Sequence, residues 1–377
     1  MKPRAIFTTE DHVAPLGMLV TEGAKELGEK INGHLVRWAK EGGLDKETFI
    51  IESRCPRFQS GDAKGQIMST VRGDDIFILV DVGNYNVKYD MHGNINSMSP
   101  DDHFADLKRL IQAASGKANR INVIMPMLYG ARQHRRTYRE SLDCAFALQE
   151  LQSMGVSNIL TFDAHDPRVQ NAIPLMGFDN IMPSYQTLKA LLKHVPDLDF
   201  NKEKFMIISP DEGAMNRNMY YSSVLGVDLG MFYKRRDYSR IVNGRNPIVA
   251  HEYLGTSVKG KDVFIADDII SSGDSMLDIA YELKKQDVNR VFAYATYGIF
   301  TNGYEAFDKA YEEGVIAGVL CSNLTFVDEE LRKRPWFFEV DVSKYCAYYI
   351  VALNHGVSIG SIIDPHEKIQ ALLDKHR

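Results

Sequence analysis

Residues 263–275 read VFIADDIISSGDS. The apolar or small residues Val263 to Ala266 predict a buried strand. Two adjacent acids, Asp267 and Asp268, follow it. Next comes a loop of small and hydroxyl residues, Ser271, Ser272, Gly273, Asp274 and Ser275, and then a helix-like run to Lys285. A strand, an acid pair, a small-residue loop and a helix start are the parts of a sugar-phosphate site. Backbone N–H groups at the helix start would hold the phosphate. The acids would accept hydrogen bonds from ribose hydroxyls, or hold Mg²⁺ through water. Asp and Ser at such a turn also serve as plain helix caps. Asp274 places a carboxylate where a phosphate cradle prefers glycine, and its charge would oppose a bound phosphate.

Outward from this stretch, strand-like and helix-like segments alternate. Strands are expected over 48–52, 76–82, 120–126, 158–163, 204–209, 262–266, 290–297 and 315–321. Helices are expected over 101–115, 139–154, 183–194, 214–225, 275–285 and 302–313. The strands read as continuous apolar runs, as parallel strands covered on both faces do. An α/β architecture of right-handed βαβ units follows. Residues 82–103 are long and polar and read as a surface loop or insertion. Pro196, within KHVPDLDFN, marks a boundary. The chain is therefore divided into an N-terminal domain, 1–195, a C-terminal domain, 196–342, and a helical tail, 343–377, whose YCAYYIVALNH run packs back on the body.

Composition narrows the function. A chain of 377 residues has room for two cores, and its net charge of −6 offers no basic footprint for nucleic acid. Cys55, Cys144, Cys321 and Cys346 form no CxxC pair and fit reduced thiols in a cytosol. The first 17 residues contain no long apolar run, so no signal peptide is expected, and no segment approaches a membrane span. No GxGxxG follows a strand. GTSVKGKD at 255–262 ends in Asp where a P-loop needs Ser or Thr, and it precedes a strand instead of following one.

Four more polar clusters stand at expected strand ends, where open α/β sheets bind ligands. ARQHRRTYRE at 131–140 carries Arg132, Arg135, Arg136 and Arg139, a guanidinium cluster suited to polyphosphate. In DAHD at 163–166, His165 could ligate a metal, contact a phosphate or simply cap the turn. SPDEG at 209–213 carries Asp211 and Glu212, which a helix start also favours electrostatically; Arg217 lies one turn on. KRRDYSR at 234–240, followed by VNGRNP, reads either as a basic flap over a charged substrate or as an exposed charged loop.

Taken in order from about Arg57 to Asp364, these segments resemble the ribose-phosphate pyrophosphokinases, the synthetases of phosphoribosyl pyrophosphate. The set comprises RFQSGD at 57–62, VRGDD at 71–75, ARQ at 131–133, DAHD, SPDEG, KRR and the DDII loop. The resemblance implies two phosphoribosyltransferase-like domains, each with a mostly parallel sheet flanked by helices, in a cytoplasmic homo-oligomer built from dimers, up to a hexamer. It implies ATP and ribose 5-phosphate as substrates, Mg²⁺ as cofactor, and neither nucleic acid nor membrane as partner. Phe58 from a neighbouring subunit, Asp62, Arg132, Gln133, Arg139 (allowing one deleted residue) and His165 would contact ATP. His165 and Asp211 would surround the metal. Lys234, Arg236 and Arg217 would be catalytic. Asp267, Asp268, Ser271, Ser272, Gly273, Asp274 and Ser275 would bind ribose 5-phosphate.

The chain departs from the family pattern in places. The phosphate loop of the family has glycine where Asp274 stands, so glycine and acid have changed places. His134 replaces an aspartate after ARQ, and Ala164 and Asp166 replace Leu and Ala of DLHA. The altered loop motivates an alternative, a non-catalytic regulatory homologue that assembles with active subunits. The DDII loop alone would also permit a phosphoribosyltransferase, against which the ARQ cluster and the two-domain layout argue.

Overall fold

The computed structural model describes residues 12–236 and 248–376, except for the side chains at 234–236, 248–251 and 361. The chain forms two compact units. One comprises 12–183, Asn323–Phe326 and Asp341–Asp364; the other comprises Ser184–Ser322, Val327–Val340 and 365–376.

The first unit is built on a parallel five-stranded sheet. In chain order its elements are β1 (Leu16–Val20), α1 (Lys25–Glu41), β2 (Ser53–Arg54), β3 (Gln66–Ile67), β4 (Asp75–Leu79), β5 (Lys88–Met91), β6 (Asn94–Ser97), α2 (Pro100–Ala114), β7 (Arg120–Ile124), α3 (Asp143–Ser153), β8 (Asn158–Phe162) and β9 (Gly177–Ile181). The order across the sheet is β1-β4-β7-β8-β9, with every neighbouring pair parallel. Apolar runs such as Ile76–Leu79 bury both faces, and Leu107, Leu110 and Leu148 cover the sheet from α2 and α3. The start of α2 is fixed by sequence: Ser99 and Asp102 form a reciprocal capping box, and Pro100 occupies the first turn.

The second unit continues with α4 (Ser184–His194), β10 (Phe205–Ser209), α5 (Met215–Leu225), β11 (Asp228–Arg236), β12 (Ile248–Leu254), β13 (Asp262–Ile270), α6 (Asp274–Lys285), β14 (Val291–Gly298), α7 (Glu305–Glu312), β15 (Gly318–Ser322), α8 (Glu329–Arg332) and β16 (Phe337–Val340). Its sheet runs β12-β11-β10-β13-β14-β15-β16 and is parallel apart from the β11–β12 hairpin. Trp336 and Phe307 stack within its core, with Phe300 against both, beside Ile265, Ile279 and Val319. The chain then returns to the first unit as α9 (Ser343–Asn354), which packs on α1, and α10 (Gly360–Ile363). It ends in the second unit as α11 (His366–His376).

The structure differs from the sequence expectation at several points. The units divide at Pro183/Ser184 instead of at 195/196, because α4 packs on β15 and β16. The expected tail is shared between the units at Asp364/Pro365. Residues 48–52 form no named strand; Ile50 makes only an isolated bridge to Met18. The polar 82–103 segment contains a hairpin. Met91 pairs with Asn94, and the two turn residues, His92 and Gly93, have φ 51° and 78°, as a tight hairpin turn requires. The helix expected over 139–154 begins only at Asp143, so Arg135, Arg136 and Arg139 lie on an exposed loop. Lys234 and Arg236, expected in a flap, occupy the end of strand β11, and residues 237–247 lie outside the described residues.

Candidate functional site

In the second unit the strand that carries the acid pair is longer than its apolar run. Strand β13 extends to Ile270 because its ladder with β14 continues to the Ile270–Gly298 pair. Asp267 and Asp268 therefore belong to the strand and project to opposite faces. Asp267 meets Arg217 from the first turns of α5, with Nη1 3.4 Å from Oδ1; the guanidinium side chain is 9% exposed and the carboxylate 26%. The backbone N–H of Asp268 donates to the same Oδ1 at 2.8 Å, and Asp268 is itself buried. Burial raises the Asp267 pKa above the usual carboxylate range, and the neighbouring charge of Asp268 adds to this; Arg217 opposes the rise.

Asn218 locks this arrangement. It is fully buried; its Nδ2 donates to Ala266 O and Ala214 O, both at 2.8 Å, and its Oδ1 accepts from Ala266 N at 3.2 Å. It thereby ties α5 to β13 immediately before Asp267. The preceding SPDEG turn is also internally bonded. Ser209 Oγ donates to Asp211 O at 2.8 Å, and Asp211 Oδ1 accepts from Ala214 N at 3.1 Å.

The loop after β13 is held by its ends: Ile299 N donates to Ile270 O at 2.9 Å, and Thr301 N donates to Ser271 O at 2.8 Å. Gly273 turns the chain into α6 with φ 90°, a left-handed conformation open to glycine. A Cβ there would lie 2.5 Å from Phe307 Cζ, and Phe307 is fully buried. Glycine is therefore required at 273, and Asp274 becomes the first residue of the helix, with its side chain exposed. In the first turn of α6, Asp274 N donates to Ser272 Oγ at 3.4 Å and Met276 N donates to Gly273 O at 3.0 Å, which leaves the Ser275 amide to an anion. Asp274 partly offsets that attraction.

In the first unit, Gln133 is occupied structurally: its Nε2 donates to Ser141 O at 2.8 Å and to Arg135 O at 3.2 Å, closing the basic loop. Arg132, Arg135, Arg136 and Arg139 are exposed, and none of them forms an ion pair among the described residues. His134 Nε2 lies 3.5 Å from Asp166 Oδ2, and the His134 and His165 rings are 5.4 Å apart. The loop after β8 thus meets the basic loop. Arg168 grips Asp166, with Nη2 2.6 Å from Oδ2 and Nε 2.9 Å from Oδ1, and these bonds hold the Asp166 carboxyl down at about 2. Burial lowers the pKa of His134. Asp163 takes a left-handed φ of 42° at the end of β8, and Asn180 Oδ1 accepts from Ala164 N at 2.9 Å. Phe58 is 53% exposed on the turn at 57–62, where Ser60 Oγ donates to Asp62 Oδ2 at 2.9 Å.

Sequence reasoning missed Asn218, Arg168, Asn180 and Phe307. Arg168, two residues after Asp166, is the one with a local signal. The others act across elements far apart in sequence. The expected metal pair His165 and Asp211 lies in different units. Among the described residues no group of three or more His, Cys, Asp or Glu side chains could cage a metal ion.

A parallel sheet whose inner strand ends in two acids, and whose following loop opens onto a helix N-terminus, defines a phosphoribosyltransferase-type domain. A sequence model of the N-terminal domain of ribose phosphate pyrophosphokinase matches residues 16–155, and one of the phosphoribosyl transferase domain matches 178–316. A ribose-phosphate pyrophosphokinase of Ralstonia nicotianae is 28% identical over 270 residues, covering 70% of this chain and 76% of that protein. One from Chlorobaculum tepidum is 23% identical over 366 residues, covering 96% and 99%. The crystal structure of phosphoribosylpyrophosphate synthetase from Mycobacterium smegmatis has the same fold, with a TM-score of 0.71 at 20% identity over 90% of this chain and 98% of that one. The chain belongs to the ribose-phosphate pyrophosphokinase family and is an enzyme of that family. No helix among the described residues is long and apolar enough to cross a membrane.

Proposed function

We propose that the chain transfers the β,γ-diphosphoryl group of Mg-ATP to the anomeric hydroxyl of ribose 5-phosphate, giving 5-phosphoribosyl 1-diphosphate and AMP. The observation that carries this reading is the Arg217–Asp267 pair beside the Gly273 turn. It sets a carboxyl group for ribose hydroxyls and the Ser275 amide for the 5-phosphate within one unit. Asp268, Ser271, Ser272, Gly273 and Ser275 complete the sugar-phosphate pocket, with Asp274 at its rim. Asp62, Arg132, Gln133, Arg139 and His165 receive ATP, and Phe58 comes from a neighbouring subunit of a dimer-based homo-oligomer in the cytoplasm.

Mg²⁺ suits the donor chemistry: a hard cation is held mainly by triphosphate oxygens and water, and Asp211 supplies a carboxylate. Bound there, the ion withdraws charge from the phosphoryl oxygens. Lys234 and Arg236, at the end of β11, neutralise the charge that grows on the transferred group and on the leaving oxygen. Arg217 opposes the burial that raises the Asp267 pKa and holds the carboxyl oxygen at 3.4 Å, where the group bonds to the sugar hydroxyls.

The exposed Asp274 carboxylate favours a second reading, a regulatory homologue without turnover. AMP release from ATP, dependent on ribose 5-phosphate and Mg²⁺, separates the two. Lys234→Ala should lower kcat by about 10²–10³-fold. Folded protein that releases no AMP overturns the synthetase reading, and nucleobase-dependent pyrophosphate release would replace it with a phosphoribosyltransferase.

A further inference from the structure

The β5–β6 hairpin lies on the turn that carries Phe58. One face of β5 does the contacting: the Tyr89 ring lies 5.4 Å from the Arg57 guanidinium carbon, and Met91 fills the space over Gly61, whose absent Cβ would lie 2.7 Å from Met91 Sδ. At the hairpin tip, His92 N donates to Gln59 O at 2.9 Å. Lys88 and Asp90, which alternate with Tyr89 and Met91, are exposed.

The turn is gripped from its other side by α2. Arg57 donates from Nη1 and Nη2 to the two Asp106 oxygens at 2.8 and 2.9 Å, and Arg109 donates to Asp106 Oδ1 at 2.8 Å. Within the turn, Phe58 N donates to Asp62 O at 2.7 Å and Gly61 N donates to Phe58 O at 2.8 Å. A residue so closely bracketed, yet 53% exposed, is held for something outside its own unit.

We infer that the β5–β6 hairpin is a positioning element, in which Tyr89, Met91 and His92 fix the Arg57–Asp62 turn so that Phe58 presents one face to the base of a nucleoside triphosphate bound by a second copy. This rests on the nucleotide role proposed for Phe58. Neither Tyr89 nor Met91 touches substrate; both act through the turn.

Steady-state kinetics and amide hydrogen exchange on the full chain test it. Tyr89→Ala should raise the KM for ATP about 2–5-fold, the loss of one cation–π contact. The kcat and the KM for ribose 5-phosphate should stay as they are, and exchange at Phe58 and Gly61 should speed up. Tyr89→Phe keeps the ring and should behave as wild type, as should Ile95→Ala on the hairpin's exposed face. In a Phe58→Ala background, Tyr89→Ala should add nothing to the KM for ATP. Unchanged Phe58 and Gly61 exchange in Tyr89→Ala overturns the inference. If Phe58→Ala leaves the KM for ATP unchanged, the nucleotide role of Phe58 falls, while the exchange rates still decide whether the hairpin holds the turn.

Discussion

Replacing Gly273 with alanine should damage both the stability and the sugar-phosphate affinity of the second unit. A non-glycine residue in the left-handed region costs about 1–2 kcal/mol, and Gly273 has φ 90°. The new methyl would also meet the Phe307 ring, with Cζ 2.5 Å away. That ring cannot withdraw easily: it is fully buried, its centroid lies 5.4 Å from that of Trp336 and 5.1 Å from that of Phe300. Overpacking of this kind costs roughly 1–3 kcal/mol. A loss of about 2–5 kcal/mol is therefore expected in urea denaturation, with a several-fold rise in the KM for ribose 5-phosphate as the first turn of α6 shifts. The clash can be isolated with Phe307→Leu. If the ring is what the methyl strikes, the two changes together should cost at least about 1 kcal/mol less than their separate effects combined. A Gly273→Ala protein within about 0.5 kcal/mol of wild type and with unchanged KM would refute the reasoning.

Three further outcomes follow from the same geometry. Asp274→Asn should lower the KM for ribose 5-phosphate about threefold while costing roughly 0.3–1 kcal/mol of stability, because an acid in the first helical turn favours the helix but repels the phosphate; an unchanged KM would show that the carboxylate does not face the phosphate. Asp267→Asn should reduce kcat/KM by at least about 10²-fold and stabilise the ligand-free protein at neutral pH. With its pKa raised in the fold, Asp267 takes up a proton on folding, so wild-type stability falls as pH rises above about 4. The advantage of the Asn variant should therefore be larger at pH 8 than at pH 5 in urea midpoints, and the reverse order would contradict the raised pKa. Arg120→Met should destabilise the first unit by roughly 3–5 kcal/mol, because Asp75 is fully buried and Arg120 holds it at 2.6 and 2.8 Å; thermal melting within a degree of wild type would exclude it.

The acid pair and its loop were legible because chemistry and order coincide there: an apolar run, two acids, small residues and a helix lie consecutively in the chain. The C-terminus of α5 was legible for a similar reason, since Gly226 caps it with φ 69°. The swapped glycine and acid were harder to interpret. Only the position of Phe307, more than 30 residues away in sequence, shows that the turn needs its glycine at 273 and leaves 274 to the helix. Asn218 reads as one more polar residue in MNRNMYY, yet it binds α5 to the strand before Asp267. The β5–β6 hairpin escaped notice because its turn is His92-Gly93 instead of the more telling Asn-Gly, and because its strands are polar on the exposed face. α1 carried a signal that was passed over: Leu27, Ile31, Leu35 and Trp38 recur at helical spacing. Where the basic cluster lies relative to its helix could not be read, since the loop at 129–142 has no periodicity to mark its end.

The return of α9 to α1 has a consequence for how the protein is made. Asn354 Nδ2 donates to Asp75 Oδ2 and to Ala14 O, both at 2.9 Å, and Arg120 donates to Leu353 O at 3.1 Å. Strands β1 and β4 therefore wait for a residue synthesised 279 positions after Asp75 before that buried carboxylate is fully partnered. A gene fragment that stops after β9 would leave this interior unfinished, and so would a nascent chain stalled before residue 354.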